Sequence, residues 1–180
     1  IRFFAGFDLN ADKLNDDDLI EYLYSNAKTM GADLDGIGLQ SPSFFVWAVR
    51  DAFTAPLQRV QIIKGFVDSN GNPQEQVFDV ACSDGGMPDA ETYRCPDNNA
   101  KVDIASCAFS QDVGAAELKT FWTDPTFEVT QRAFYYVRAL ENPTCRWSTW
   151  DALRNNVEPR SDIPKTIQER VWSSPIHYIP

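Results

Sequence analysis

The chain has 180 residues, with 26 Asp and Glu against 16 Lys and Arg, a formal charge of −10, and 43% hydrophobic and 13% aromatic residues. That apolar and aromatic content excludes intrinsic disorder, and the acidic balance excludes a general nucleic-acid binder, which needs clustered Lys and Arg to release counterions. No apolar run approaches the ~18 residues of a membrane-spanning helix, the longest being the strand-sized Phe44–Val49, so no membrane span is expected.

In chain order, the first strand is expected over 2–7. A short helix follows from Asp16 to Ser25, where Leu19, Ile20 and Leu23 line one side behind acidic first-turn residues. The segment Met30–Gly36 reads as loop. The apolar run 43–50 suits a strand, and 58–68 alternates through Val60, Ile62, Lys64 and Phe66. Asn70-Gly71 supplies the positive φ angles of a tight turn, returning the chain into a strand over 75–82. Further strands are expected at 101–109, 118–123, 132–140 and 168–172, with a helix over Trp147–Arg154 capped at Ser148. This sums to a mainly β chain, an antiparallel β-sandwich with one or two short helices, folded as a single domain over 1–180. Trp47, Val49, Val60, Ile62, Phe134 and Tyr136 are the expected core.

Cys82, Cys95, Cys107 and Cys145 are separated by 13, 12 and 38 residues. No C-x-x-C pair is present, which argues against a structural zinc site. Of the three possible pairings, Cys82–Cys95 would close the Gly/Pro/Asp-rich loop between them and Cys107–Cys145 would tie a strand to the segment after Asn142-Pro143. Loop-closure entropy makes these worth about 3 and 4 kcal/mol. Four buried free thiols are the alternative. Disulfides imply an oxidising compartment, periplasmic or extracellular.

Residues for catalysis are scarce. His177 is the single histidine, so multi-histidine metal sites are arithmetically excluded within the chain. It has no Gly-x-Ser-x-Gly elbow to serve and reads as an edge or interface residue. Gly36-Ile37-Gly38 lacks the third glycine of a dinucleotide loop. Asp8, Asn10 and Asp12, before Asn15 and Asp18, are spaced like a calcium loop, but Lys13 stands at the turn glycine and Leu19 at the bidentate acid. The plainer reading is a solvated loop whose Asp16–Asp18 run caps the next helix. Asp68–Asn72 is explained by its hairpin. Of five tryptophans, only the Trp147/Trp150 pair reads as an exposed platform for sugar rings. No catalytic, cofactor or metal residue is assigned, and no cofactor is required.

Several long blocks resemble one family. They include Asp124-Pro-Thr-Phe-Glu-Val-Thr-Gln-Arg-Ala-Phe-Tyr-Tyr-Val-Arg138, its continuation through Ala139–Ala152, Ile167-Gln-Glu-Arg-Val-Trp-Ser-Ser-Pro175, Val46-Trp-Ala-Val-Arg-Asp51, Arg59-Val-Gln-Ile-Ile-Lys-Gly65 and Gly114-Ala-Ala-Glu-Leu118. Together with Arg2–Gly6 and Met30–Leu34, they resemble the C-terminal region of the domain of unknown function 3604 proteins. The resemblance implies a bacterial, exported parent whose larger N-terminal part is similar to PHP-type metal-dependent hydrolases, with none of the hydrolase metal motifs in this chain. The abrupt start at Ile1 fits such a piece. The expectation is therefore a non-catalytic accessory domain whose partner is the N-terminal part of its own parent protein. Two alternatives stand beside it. The domain lends residues to a shared hydrolase site, with Arg50, Asp51, Arg138 and Arg146 as candidates, or it is an independent sugar- or calcium-binding module.

Overall fold

The computed structural model describes residues 1–36 and 40–180. The chain runs β1 (Arg2–Gly6), a 3-10 turn (Ala11–Asn15), α1 (Leu19–Asn26), β2 (Lys28–Thr29), β3 (Asp33–Asp35), β4 (Ser43–Val49), β5 (Leu57–Val67) and β6 (Pro73–Cys82). It continues with β7 (Glu117–Thr123), β8 (Ala133–Glu141), β9 (Thr144–Cys145), α2 (Trp147–Arg154), β10 (Thr166–Ile167), β11 (Arg170–Trp172) and β12 (Ile176–Ile179). One sheet has the order β2-β1-β4-β7; the larger has β3-β12-β8-β5-β6, with β11 also on β8; β9 and β10 form a small ribbon. All pairings are antiparallel except β3 with β12.

The two large sheets pack as a sandwich because each presents an apolar row to the other. Phe3, Ala5, Phe44, Val46, Ala48 and Leu118 come from the smaller sheet, and Val60, Ile62, Phe78, Tyr135, Val137, Ile176 and Tyr178 from the larger. Aromatic contacts bridge the layers, Phe44 to Tyr135 at 4.4 Å and Phe78 to Trp122 at 5.0 Å between ring centroids. Each such pair adds about 0.5–1.5 kcal/mol beyond burial. The other face of the smaller sheet is covered by α1, whose Leu19 and Leu23 pack with Leu9 on Phe4 and Phe45. Strands β1 and β4 are therefore apolar on both faces, which is why they read as continuous hydrophobic runs.

Both expected disulfides form, Cys82–Cys95 and Cys107–Cys145, with Cα–Cα distances of 5.6 and 5.5 Å. They brace the long connection between β6 and β7, which is otherwise held by side-chain hydrogen bonds. Asn98 Nδ2 donates to Asn142 Oδ1 (2.8 Å), Asn142 Nδ2 to the Val113 carbonyl (2.9 Å), and the Gly114 N–H to both oxygens of Asp84 (2.9 Å).

Several expectations need correction. Segment 101–109 is not a strand: it makes one isolated bridge, Val102 to Phe109. Asp103 accepts from the Ala105 N–H and the Ser106 hydroxyl, turning the chain toward Cys107 at φ 55°. Helix α1 starts at Leu19, after Asp16–Asp18, and α2 starts at Trp147 behind Arg146 with no side-chain cap from Ser148. β3 lies in the segment expected to be loop, and neither β2 nor β12 was anticipated. Of the expected core, Val60 and Ile62 are fully buried, but Val49 is 61% and Phe134 40% exposed, while Trp47 and Tyr136 are half-buried. In β8 the inward row is Ala133, Tyr135, Val137 and Ala139, so the large aromatics at 134 and 136 face outward. In β4, Phe45 and Trp47 point to the α1 side, and Val49 lies beyond the helix.

The inward row of β5 contains a charge. Lys64 follows Val60 and Ile62 into the sandwich, and its Nζ meets Asp124 Oδ2 at 2.7 Å, the two side chains 2% and 0% exposed. A buried pair broken on one side leaves an uncompensated charge. Asp124→Ala is therefore expected to cost about 3–5 kcal/mol in denaturant unfolding, whereas Asp162→Ala, which breaks the exposed Arg160–Asp162 pair, should leave the unfolding midpoint essentially unchanged.

Candidate functional site

Asp124 follows the last residue of β7, so the Lys64 pair ties one sheet to the other. Its Oδ2 also accepts from the Tyr135 hydroxyl (2.8 Å), and its Oδ1 accepts from the Thr126 N–H (2.8 Å) and Thr126 Oγ1 (2.9 Å). Lys64 Nζ donates in addition to the Thr126 carbonyl (2.8 Å) and Thr126 Oγ1 (3.2 Å). Burial, with the Asp124 charge and hydrogen bond beside it, holds the Tyr135 hydroxyl far above the ordinary tyrosine range, so it stays a donor. The side-chain polar atoms of this cluster are all hydrogen-bonded to one another or to the backbone.

The outer face of the larger sheet is different. Cross-strand partners in register share a face, which sorts it into rows: Arg59, Leu140 and Arg170; Gln61, Arg138 and Trp172; Ile63 and Tyr136; Gly65, Phe134 and His177. Buried Asp79 accepts from Gln61 Nε2 (2.6 Å) and the Cys95 N–H (2.8 Å), and Gln61 Oε1 accepts from Arg138 Nε (2.7 Å). Arg59 and Arg94 both approach Asp79 at 3.7 Å. Two arginines thus flank one buried carboxylate, a third, Arg138, is held to it through Gln61, and Arg59 Nε is buried without a hydrogen-bond partner. Alongside them stand Trp172, 55% exposed, and Phe134 stacked near Tyr136 with centroids 6.4 Å apart.

Gly65 makes the Phe134 position possible: a Cβ there would lie 2.2 Å from the ring. Phe134 therefore lies flat on bare backbone, lining a cleft of about 540 Å³ with Phe66, Gln74, Arg132 and His177. A second cleft of about 490 Å³ lies by the β9–β10 ribbon, lined by Gln58, Arg146, Gln168 and Arg170.

Of the residues singled out from sequence, Arg138 lies on this face and Arg146 in the second cleft, where its Nε donates to the Pro164 carbonyl. Arg50 and Asp51 lie in the turn after β4, away from both. His177 is on β12, between β3 and β8 rather than at an edge, 6.1 Å from the Phe134 ring. Trp147 is 73% and Trp150 37% exposed, with the Arg154 guanidinium 5.3 Å from the Trp150 ring. In the acidic loop, Asn10 caps the 3-10 turn by accepting from the Asp12 N–H, and Lys13 pairs with Asp16 and Asp18. Among the described residues, no three His, Cys, Asp or Glu side chains gather as a metal site requires. The Gly36-Ile37-Gly38 stretch extends outside the described residues. The Lys64 cluster was not singled out from sequence, although a lysine in the apolar row of β5 and an aspartate just past β7 are its signal.

The sequence profile of a family described as "Protein of unknown function (DUF3604)" matches residues 1–180, and the chain belongs to that family. No curated protein and no solved structure matches it significantly.

Gly65→Ala is expected to push the Phe134 ring off the sheet and to cost about 1–3 kcal/mol by overpacking, read by chemical denaturation. The loops carry a pH signature. The Ser83 hydroxyl and then the Gly114 N–H hold Asp84 below the ordinary carboxylate range, and backbone N–H groups do the same for Asp68 and Asp89. A depressed folded-state pKa stabilises above the unfolded value, about 3.9, and is lost as pH falls through the folded one. Stability should be level from neutrality to about pH 5 and fall below about pH 4; Asp84→Asn should blunt that fall.

Proposed function

We propose that the chain is a non-catalytic accessory domain of a larger exported protein and docks through the outer face of its larger sheet onto an acidic surface of the rest of that polypeptide. The observation that carries this reading is the grouping of Arg59, Arg138 and Arg170 on adjacent rows beside Trp172 and Tyr136, with Arg94 nearby on Asp79, in a chain of net charge −10. Arginine, tryptophan and tyrosine are the residues that anchor protein interfaces, and planar guanidinium groups match carboxylates. The like charge of the remaining surface would repel an acidic partner everywhere else, which fixes the docking orientation. The family resemblance supports a parent with a hydrolase-like N-terminal part, and the two disulfides are consistent with an oxidising compartment.

The test compares the isolated chain with the longest natural polypeptide by hydrogen exchange. Strands β8 and β11 should be further protected in the longer protein, and Arg138→Glu or Trp172→Ala should weaken association of separately expressed parts by about 2 kcal/mol or more, with salt weakening it too. Unchanged protection of this face would remove the docking role. Phosphoesterase or glycosidase turnover by the isolated chain, abolished by a single Asp→Asn change, would overturn the non-catalytic reading.

A further inference from the structure

We propose that Lys64 and Asp124 become covalently joined in the folded protein, as a side-chain amide between Lys64 Nζ and Asp124 Cγ formed with loss of one water. The groups are already in contact, Nζ at 2.7 Å from Oδ2, and both are almost wholly removed from solvent. Reactants fixed in contact behave as if at effective concentrations of about 10⁵ M or more, which is what lets a carboxylate and an amine condense although water opposes it.

The hydrogen bonds assign a role to each oxygen. Oδ2 accepts from the Tyr135 hydroxyl at 2.8 Å, the position of a donor that stabilises developing negative charge as nitrogen adds to Cγ,. Oδ1 is held by the Thr126 hydroxyl at 2.9 Å, and that same hydroxyl lies 3.2 Å from Lys64 Nζ. It therefore forms a relay: it takes a proton from nitrogen and passes its own to Oδ1. One such transfer turns the ammonium and carboxylate into an amine and a carboxylic acid. The amine lone pair then forms the Nζ–Cγ bond, a second proton follows the same path, and the Cγ–Oδ1 bond breaks. Of the three ammonium protons one stays on the amide nitrogen and two leave with Oδ1 as water. Nothing is oxidised or reduced. Oδ2 remains as the amide carbonyl, still accepting from Tyr135. The single Thr126 hydroxyl proton is shared between Asp124 Oδ1 and Gln76 Oε1, 2.8 Å away, and turns to Oδ1 for the transfer; Thr126 and Gln76 are only half-buried, giving the water a short way out. Two buried charges are replaced by one hydrogen-bonded amide, and the larger sheet becomes stapled to the end of β7, a link that neither disulfide makes.

The test is the intact mass of the folded, aged wild-type chain after its disulfides are reduced and it is denatured. The proposal expects a mass one water below the sequence value, and a branched peptide joining Lys64 to Asp124 after digestion. Lys64→Arg should restore the full mass. Thr126→Val should slow the mass loss by tenfold or more. Asp124→Asn should reach the same product mass by losing ammonia. A wild-type chain at its full sequence mass overturns the proposal, and so does a water loss that maps to a single unbranched peptide, which is a succinimide.

Discussion

A lysine and an aspartate placed together inside an aromatic core constrain the rest of this fold. Removing two charges from water costs several kcal/mol each unless the pair is close and its remaining donors and acceptors are all met. Here that condition requires β5, β6, β8 and the residues just past β7 to converge, because Lys64, Gln76, Tyr135, Asp124 and Thr126 each supply part of the hydrogen bonding. A shift of β5 by one residue would turn Lys64 to the outer face and leave Asp124 alone in the core, since side chains alternate strictly along a strand. The inward row of Val60 and Ile62 already disfavours that shift, and the buried pair adds a further penalty to it,.

The second organising feature is the division of polar chemistry between the inside and one face. Asp79 and Gln61 lie beside the Cys82–Cys95 loop, which carries Arg94 and whose Cys95 N–H donates to Asp79. The disulfide thus holds the loop against the sheet and fixes the carboxylate that orders Arg138 through Gln61. This makes the outer face a preorganised surface rather than a set of mobile side chains, and preorganisation lowers the entropic cost of binding. The Gly65–Phe134 contact extends the rigid surface toward His177 by laying an aromatic ring on bare backbone.

Much of the fold was legible in the residues. The strands around 43–50, 58–68, 75–82, 118–123 and 132–140 follow from apolar alternation and turn chemistry, the pairing of the cysteines from the loops they close, and the family from long blocks of sequence. The misreadings share a cause: alternation fixes which residues share a face, not which face is inside. In β8, Phe134 and Tyr136 are as apolar as the inward row that includes Tyr135, and only the partner sheet decides between them. In β4, helix α1 covers the second face, so neither parity reads as surface. Short strands such as β2, β3 and β12 carry too few residues for any period, and β12 exists because β3 and β8 flank it. Segment 101–109 looked extended, yet Asp103 and the Cys107 bond bend it. The arginine face was invisible for a related reason: Arg59, Arg94, Arg138 and Arg170 are scattered in sequence and meet only through strand register.

The central claim is that Lys64 and Asp124 act as one unit that sets the sandwich. A double-mutant cycle of unfolding free energies over Lys64→Met, Asp124→Leu and the combined variant tests it most directly. The account predicts that each single change is strongly destabilising, that the double costs far less than their sum, and that the coupling reaches about 2 kcal/mol or more. Additive effects, with coupling below about 0.5 kcal/mol, would contradict it.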